Sequence, residues 1–149
     1  MVNTKRRVRL CLTLIIVNLV FIWGNSLLPA QLSAAFSNFV QWVLHFMVSG
    51  NNTVTVQGSG LLRKVAHLLE FTCLGGLLCW YLLMGKKNPA LALLPGLCAA
   101  CVDETIQCFV PGRGPRVTDV AIDLAGVGLG IGALLLIQFL RTKLRRNKK

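Results

Sequence analysis

The chain has 149 residues, enough for one domain, and carries 16 Lys and Arg against 5 Asp and Glu, a net charge of +11. Hydrophobic residues make up 54% and the mean hydropathy is +0.65, both high for a soluble domain. The charge alone would suit nucleic acid, but the cations flank apolar runs instead of forming one basic face, which excludes that partner.

The first apolar run covers residues 10–28 and follows Lys5, Arg6, Arg7 and Arg9. Its length approaches the roughly 20 residues that a spanning helix needs. A basic start and Ser33-Ala34-Ala35 also resemble a signal peptide with its cleavage site. The run is longer than the usual h-region, however, and it reads as an uncleaved anchor. Residues 29–60 come next. Leu32, Phe36, Phe39, Val40, Val43 and Met47 recur at helical spacing, which predicts a short amphipathic helix in the outer interface. Trp42 suits that depth, and His45 reads as an interfacial residue. A re-entrant lid is the alternative, and residues 51–60 read as a polar loop.

The second span is expected over 61–84 and the third over 90–111. Lys86 and Lys87 lie between them, Pro89 is placed to open the third helix, and Pro95 to kink it. The stretch CVDETIQCFVPGR (101–113) then sets acids inside an apolar helix. A charge at a span's centre costs about 2.5–3.5 kcal/mol on insertion scales, so something must offset it. Pro111-Gly112 fits the centre of a type II turn. The fourth span, 118–140, has two stripes of small or acidic residues. Asp119, Asp123, Gly126 and Gly130 form one; Ala121, Ala125, Gly128 and Gly132 form the other. Two close-packing faces predict a helix in the middle of the bundle. The expected fold is therefore all-α, a single membrane domain over 1–149 with four transmembrane helices and the short outer helix.

Three segments on one side of such a bundle hold 12 of the 16 cations. The positive-inside rule makes that side cytoplasmic and puts both termini there. The basic tail is suited to anionic lipid. All five acids, Glu70, Asp103, Glu104, Asp119 and Asp123, then fall in the outer halves of spans two to four, beside Arg63, Lys64, Arg113 and Arg116. Most lie roughly 6–14 Å below the outer surface. Arg63, His67 and Glu70 share one arc of the second helix, and Glu104 and Gln107 share a face of the third. Asp103 points about 100° away from Glu104 and is not counted with the candidates. Ionisable residues at such depth face a bundle interior or a wet cavity and default to a functional role. The structural alternative is an ion-pair network, such as Arg63 or Arg113 with Glu104. The six cysteines all lie in spans and read as small buried hydrophobes, and Cys98-x-x-Cys101 has no second pair.

The stretch RKVAHLLEFTCLGGLL (63–78) resembles the first signature of the VanZ-like family, and DETIQCFVPGRGPRVTDVAIDLAGVGLG (103–130) the second. WGNSLLPAQLSAAFS is similar to the segment that follows the family's first helix. The resemblance covers most of residues 10–135. It implies a small envelope membrane protein of Gram-positive type, related to one associated with low-level resistance to the glycopeptide teicoplanin; it supplies no reaction. Matching positions include Lys64, His67, Glu70, Phe71, Glu104, Gln107, Arg113, Asp119, Asp123 and Gly126. Ile106 stands where close relatives often carry His, and Asp123 where many carry Asn.

Three functions compete. A binding or protective protein would hold an anionic lipid or cell-wall precursor through Lys64, His67, Arg113 and Arg116, because arginine's planar fork suits phosphate. The candidate ligand-binding set adds Glu70, Glu104, Gln107, Asp119 and Asp123. An intramembrane enzyme would use His67 or Glu104 as general acid/base, with Asp119 or Asp123 orienting it or holding a metal. A transporter or envelope-assembly partner is the third. His67-x-x-Glu70 and Asp103-Glu104-x-x-Gln107 lack the ligand count of a known metal site, so no metal is expected. Neither a cofactor nor an oligomeric state is specified.

Overall fold

The computed structural model describes residues 2–29 and 59–147. The amphipathic helix, Trp42, His45, the possible cleavage site and nearly all of the 51–60 loop lie outside the described residues. Within them all regular structure is helical: α1 is Val2–Ser26, α2 Ser59–Met84, α3 Leu93–Cys108 and α4 Val117–Arg146, with a 3₁₀ turn over Pro89–Ala92. All four helices contain a window long and apolar enough to cross a membrane, the third counting the 3₁₀ turn with α3. Large apolar side chains such as Leu10, Ile16, Val20, Leu94, Leu136 and Phe139 face outward, while Asp103, Glu104, Gln107 and Asp123 are buried. A membrane solvent favours that arrangement.

Local chemistry sets the helix ends. Asn88 caps the 3₁₀ turn, its Oδ1 accepting from the Ala90 N–H at 2.9 Å, and Pro89 follows at the first position. Pro95 is the third residue of α3, where no intrahelical N–H partner is required, so it marks the change from 3₁₀ to α instead of kinking a continuous span. α4 continues past the expected boundary at 140 to Arg146. Its last turn carries Lys143, Arg145 and Arg146, cations that complement the helix C-terminus.

α2 ends in a Schellman arrangement. The Lys87 N–H donates to the Leu82 carbonyl at 2.9 Å and the Lys86 N–H to that of Leu83 at 3.1 Å. Lys86 carries the left-handed conformation, with φ 55°. A side chain there costs about 1–2 kcal/mol that glycine avoids. Lys86→Gly is therefore expected to raise the protein's stability by about 1 kcal/mol, read as a higher midpoint in thermal denaturation in detergent.

The closest seam joins α2 and α4. A Cβ on Gly126 would lie 2.7 Å from the Leu68 carbonyl oxygen, and one on Gly130 would overlap that of Thr72. This is the small-residue packing expected of the first stripe. The second stripe differs from expectation. Ala121, Ala125, Gly128 and Gly132 are exposed, and a Cβ on Gly128 or Gly132 would meet nothing within 4 Å. Among the described residues α4 thus packs through one side and does not sit at the bundle's middle. Phe71, Leu74, Cys79, Ala92, Ala99, Ala100, Val127 and Ile131 form the core with Cys11, Ile15 and Ile22 of α1. Cys11 and Cys79 are buried, whereas Cys73, Cys98, Cys101 and Cys108 are exposed.

Candidate functional site

Polar side chains gather where the C-terminal ends of α1 and α3 meet the N-terminal ends of α2 and α4. Gln107 is the hub of this layer and is 1% exposed. Its Oε1 accepts from Arg63 Nη2 at 3.1 Å, and its Nε2 donates to Asp103 Oδ2 at 2.7 Å and to Ser26 Oγ at 3.3 Å. Arg63 also pairs with Asp119, Nη2 to Oδ2 at 3.6 Å. Asp119 stands in the first turn of α4, where a carboxylate suits the helix N-terminus.

Glu70 accepts through Oε1 from Asn25 Nδ2 at 2.7 Å. Its Oε2 lies 3.8 Å from His67 Nδ1, and Asp103 Oδ2 lies 3.9 Å from the same nitrogen. Both distances exceed a hydrogen bond. Asp123 reaches this place from α4 and is 1% exposed. Ligand atoms of His67, Asp103 and Asp123 all fall within 4.8 Å of one another. The Pro111-Gly112 turn closes the layer. The Arg113 N–H donates to the Val110 carbonyl at 3.1 Å, and Gly112 has φ 77°, the type II geometry expected of this pair. Arg113 Nη1 then donates to the Ser26 carbonyl at 3.1 Å, satisfying the end of α1. Burial, and then the nearby Arg63 charge, hold the Arg113 guanidinium below its usual value, with Asp103 opposing.

Among the described residues Glu104 does not form the ion pair with Arg63 or Arg113 that the structural alternative would have. Its Oε2 accepts from the backbone N–H of Arg116 at 2.7 Å, and Arg116 is the N-cap residue of α4. Glu104 therefore fastens the connecting turn to α3. Two cavities share this end. A small one of about 10 Å³ is lined by Arg63, Lys64, His67, Glu104, Gln107, Asp119, Ile122 and Asp123. A larger one of about 210 Å³ is lined by Arg63, Lys64, Arg113, Arg116 and Asp119 with Gly112 and Gly114.

With the layer assembled, its residues prove to be the ones that carry the sequence resemblance, and a family model described as VanZ/LLP1 matches residues 10–138. The chain belongs to the VanZ/LLP1 family. No curated protein and no solved structure matches it. The matched region of this VanZ/LLP1 chain contains all four helix ends that build the layer.

Every candidate residue read from the sequence sits here: Lys64, His67, Glu70, Glu104, Gln107, Arg113, Asp119 and Asp123. Three further participants were not anticipated. Asp103 is fully buried at the centre. The signal was its i,i+4 spacing to Gln107, which places the two on one face as surely as Glu104's i,i+3 spacing does. Asn25 and Ser26 come from α1, which reads as an anchor in sequence; two polar residues closing an apolar run, inside the WGNS stretch that shares in the resemblance, are the available sign.

Proposed function

We propose that this VanZ/LLP1 membrane protein holds a phosphate-bearing headgroup at the outer face of the cell membrane, that of an anionic lipid or a lipid-linked cell-wall precursor. The observation that carries this reading is the cavity of about 210 Å³ bordered by Arg63, Lys64, Arg113 and Arg116. Four cations outweigh the one acid of this lining, Asp119, and the net positive charge suits a dianionic phosphate, whose oxygens guanidinium groups bind in pairs. The opening lies at the end of the bundle away from the basic tail and Lys86-Lys87. The positive-inside rule gives that end to the outside and both termini to the cytoplasm.

Arg63 and Arg113 are engaged by Asp119, Gln107 and the α1 carbonyls, so Lys64 and the exposed Arg116 are the cleaner probes. Native mass spectrometry in detergent, titrated with phosphatidylglycerol or undecaprenyl phosphate, should show that Lys64→Ala with Arg116→Ala weakens binding at least about tenfold. One lost charge-assisted hydrogen bond is enough for such a change. Equal binding by the variant and the native chain would overturn the reading. Retention of such a lipid would limit glycopeptide access to the envelope. Expression in a susceptible Gram-positive host is expected to raise the inhibitory concentration of teicoplanin, and the double variant is expected not to.

One observation favours an intramembrane enzyme as the second reading: His67 and Glu104 line the same small cavity beneath the cationic opening. Catalysis on the bound headgroup would be lost in His67→Gln while lipid binding stayed intact. Loss of binding alongside activity would count against it.

A further inference from the structure

The cationic opening leaves the deepest groups of the layer unexplained. Glu70, Asp103 and Asp123 have no Lys or Arg nitrogen within ion-pair distance among the described residues, since Arg63 is taken by Asp119 and Gln107. Asp103 is fully buried and Asp123 is 1% exposed, yet Oδ1 of each lacks a hydrogen-bond partner. So do Glu70 Oε2 and His67 Nδ1. A buried carboxylate oxygen without a partner is expensive, and here three helices bring three carboxyl groups, each with one such oxygen, around one imidazole.

We propose that His67, Asp103 and Asp123, with Glu70 beside them, form a site for one divalent first-row transition-metal ion. A metal supplies the partner that each orphaned atom lacks and the positive charge that the cluster lacks. The donor set of one imidazole with carboxylates suits Zn²⁺ or Mn²⁺ better than Mg²⁺ or Ca²⁺, which prefer oxygen alone. Ligand atoms about 2.0–2.2 Å from such an ion stand roughly 3.0–3.5 Å apart at tetrahedral or octahedral angles. His67 Nδ1 stands 3.8 Å from Glu70 Oε2, an oxygen without a partner, and 3.9 Å from Asp103 Oδ2, the oxygen that Gln107 also holds, and one ligand atom from each of His67, Asp103 and Asp123 falls within 4.8 Å of the others. Shifts on the order of 1 Å complete the sphere, within the reach of side-chain rotation. The outer partners are also in place. Gln107 holds Asp103 Oδ2 and Asn25 holds Glu70 Oε1, each at 2.7 Å, which leaves the second oxygen of each carboxylate free. The cavity of about 10 Å³ beside His67 and Asp123 shares Arg63, Lys64 and Asp119 with the lining of the cationic pocket. The site does not rest on the headgroup reading, although an ion here would lie beside a bound phosphate.

The test uses the full chain in detergent, purified without a histidine tag or chelator and carrying Cys73→Ser, Cys98→Ser, Cys101→Ser and Cys108→Ser, so that exposed thiols do not bind the probe. Mass spectrometric metal analysis and titration with ZnCl₂ or MnCl₂ should give about one equivalent per chain. Saturation should raise the thermal midpoint by about 5–10 °C, reversed by EDTA. Asp103→Asn and Asp123→Asn keep the shape and remove a charge, and both should elute as the native chain does while losing the metal and the thermal shift. Three results would overturn the proposal. One is a native chain that gains neither metal nor midpoint with either ion. Another is Asn variants that bind and shift as the native chain does, which would place the ion elsewhere. The third is metal uptake by the native chain that leaves its midpoint unchanged, which would place the ion outside the folded layer.

Discussion

Gly130→Ala is expected to dismantle the α2–α4 seam, while Gly132→Ala, two residues further on, should be nearly silent. A Cβ on Gly130 would overlap the Thr72 carbonyl oxygen and come within 2.6 Å of the Gly76 nitrogen, both of them backbone atoms of α2. Backbone cannot rotate away as a side-chain tip can, so the two helices must separate. Overpacking usually costs about 1–3 kcal/mol and occasionally more. Because Gly126 is held almost as closely against Leu68, separation at Gly130 also loosens the contact there. The expected result for Gly130→Ala is a loss of about 3 kcal/mol or more, seen as a lower thermal midpoint and poor accumulation of folded protein in the membrane. Gly132 has open space around its missing Cβ. Alanine is also the better helix former there, so its variant should match or slightly exceed the native chain. If the two variants behave alike, the seam does not carry the fold.

Gln107→Leu is the second large effect. The side chain joins Arg63, Ser26 and Asp103 and so ties three helix ends together, counting its own. Leucine fills a comparable volume but offers no polar atom. Asp103, fully buried, then loses the one hydrogen bond it has among the described residues, and Arg63 and Ser26 lose theirs. Each buried group left unsatisfied costs about 1–3 kcal/mol, more when charged, so a total loss of about 3 kcal/mol or more is expected. Thr105→Ala removes only an exposed hydroxyl bonded to the Cys101 carbonyl of its own helix and should change the midpoint little. Thermal denaturation of both variants in one detergent makes the comparison. A Gln107→Leu protein as stable as Thr105→Ala would mean that the hub is dispensable.

The four spans were legible because membrane helices depend on long apolar runs, a signal that needs no tertiary context. Their edges were less so. The third span was read as one helix to 111, but α3 stops at Cys108 and begins only after a 3₁₀ turn. Pro95 was a real signal for a break, and its effect depends on where the helix starts. The Pro111-Gly112 turn was legible because glycine at that place answers a backbone demand for positive φ. The two faces of α4 could not be ranked in advance. Both stripes are small, and which one meets α2 depends on the rotation of a packed helix.

The candidate layer shows the same division. That acids, a histidine and cations lie at one end of an otherwise apolar chain follows from their positions along the spans, because 1.5 Å per residue converts position to depth. The sequence by itself thus determined the membrane class, the helical fold, the end of the bundle at which the polar layer lies and the residues most of it contains. Only the tertiary structure decided their pairing. It brought α1 into the layer through Asn25 and Ser26, gave Glu104 to the Arg116 backbone, and turned Asp103 and Asp123 toward His67. The reason is physical: depth is a one-dimensional property of each helix, whereas pairing depends on how four helices rotate against one another, and that rotation is set by the small-residue seam and the core that surrounds it.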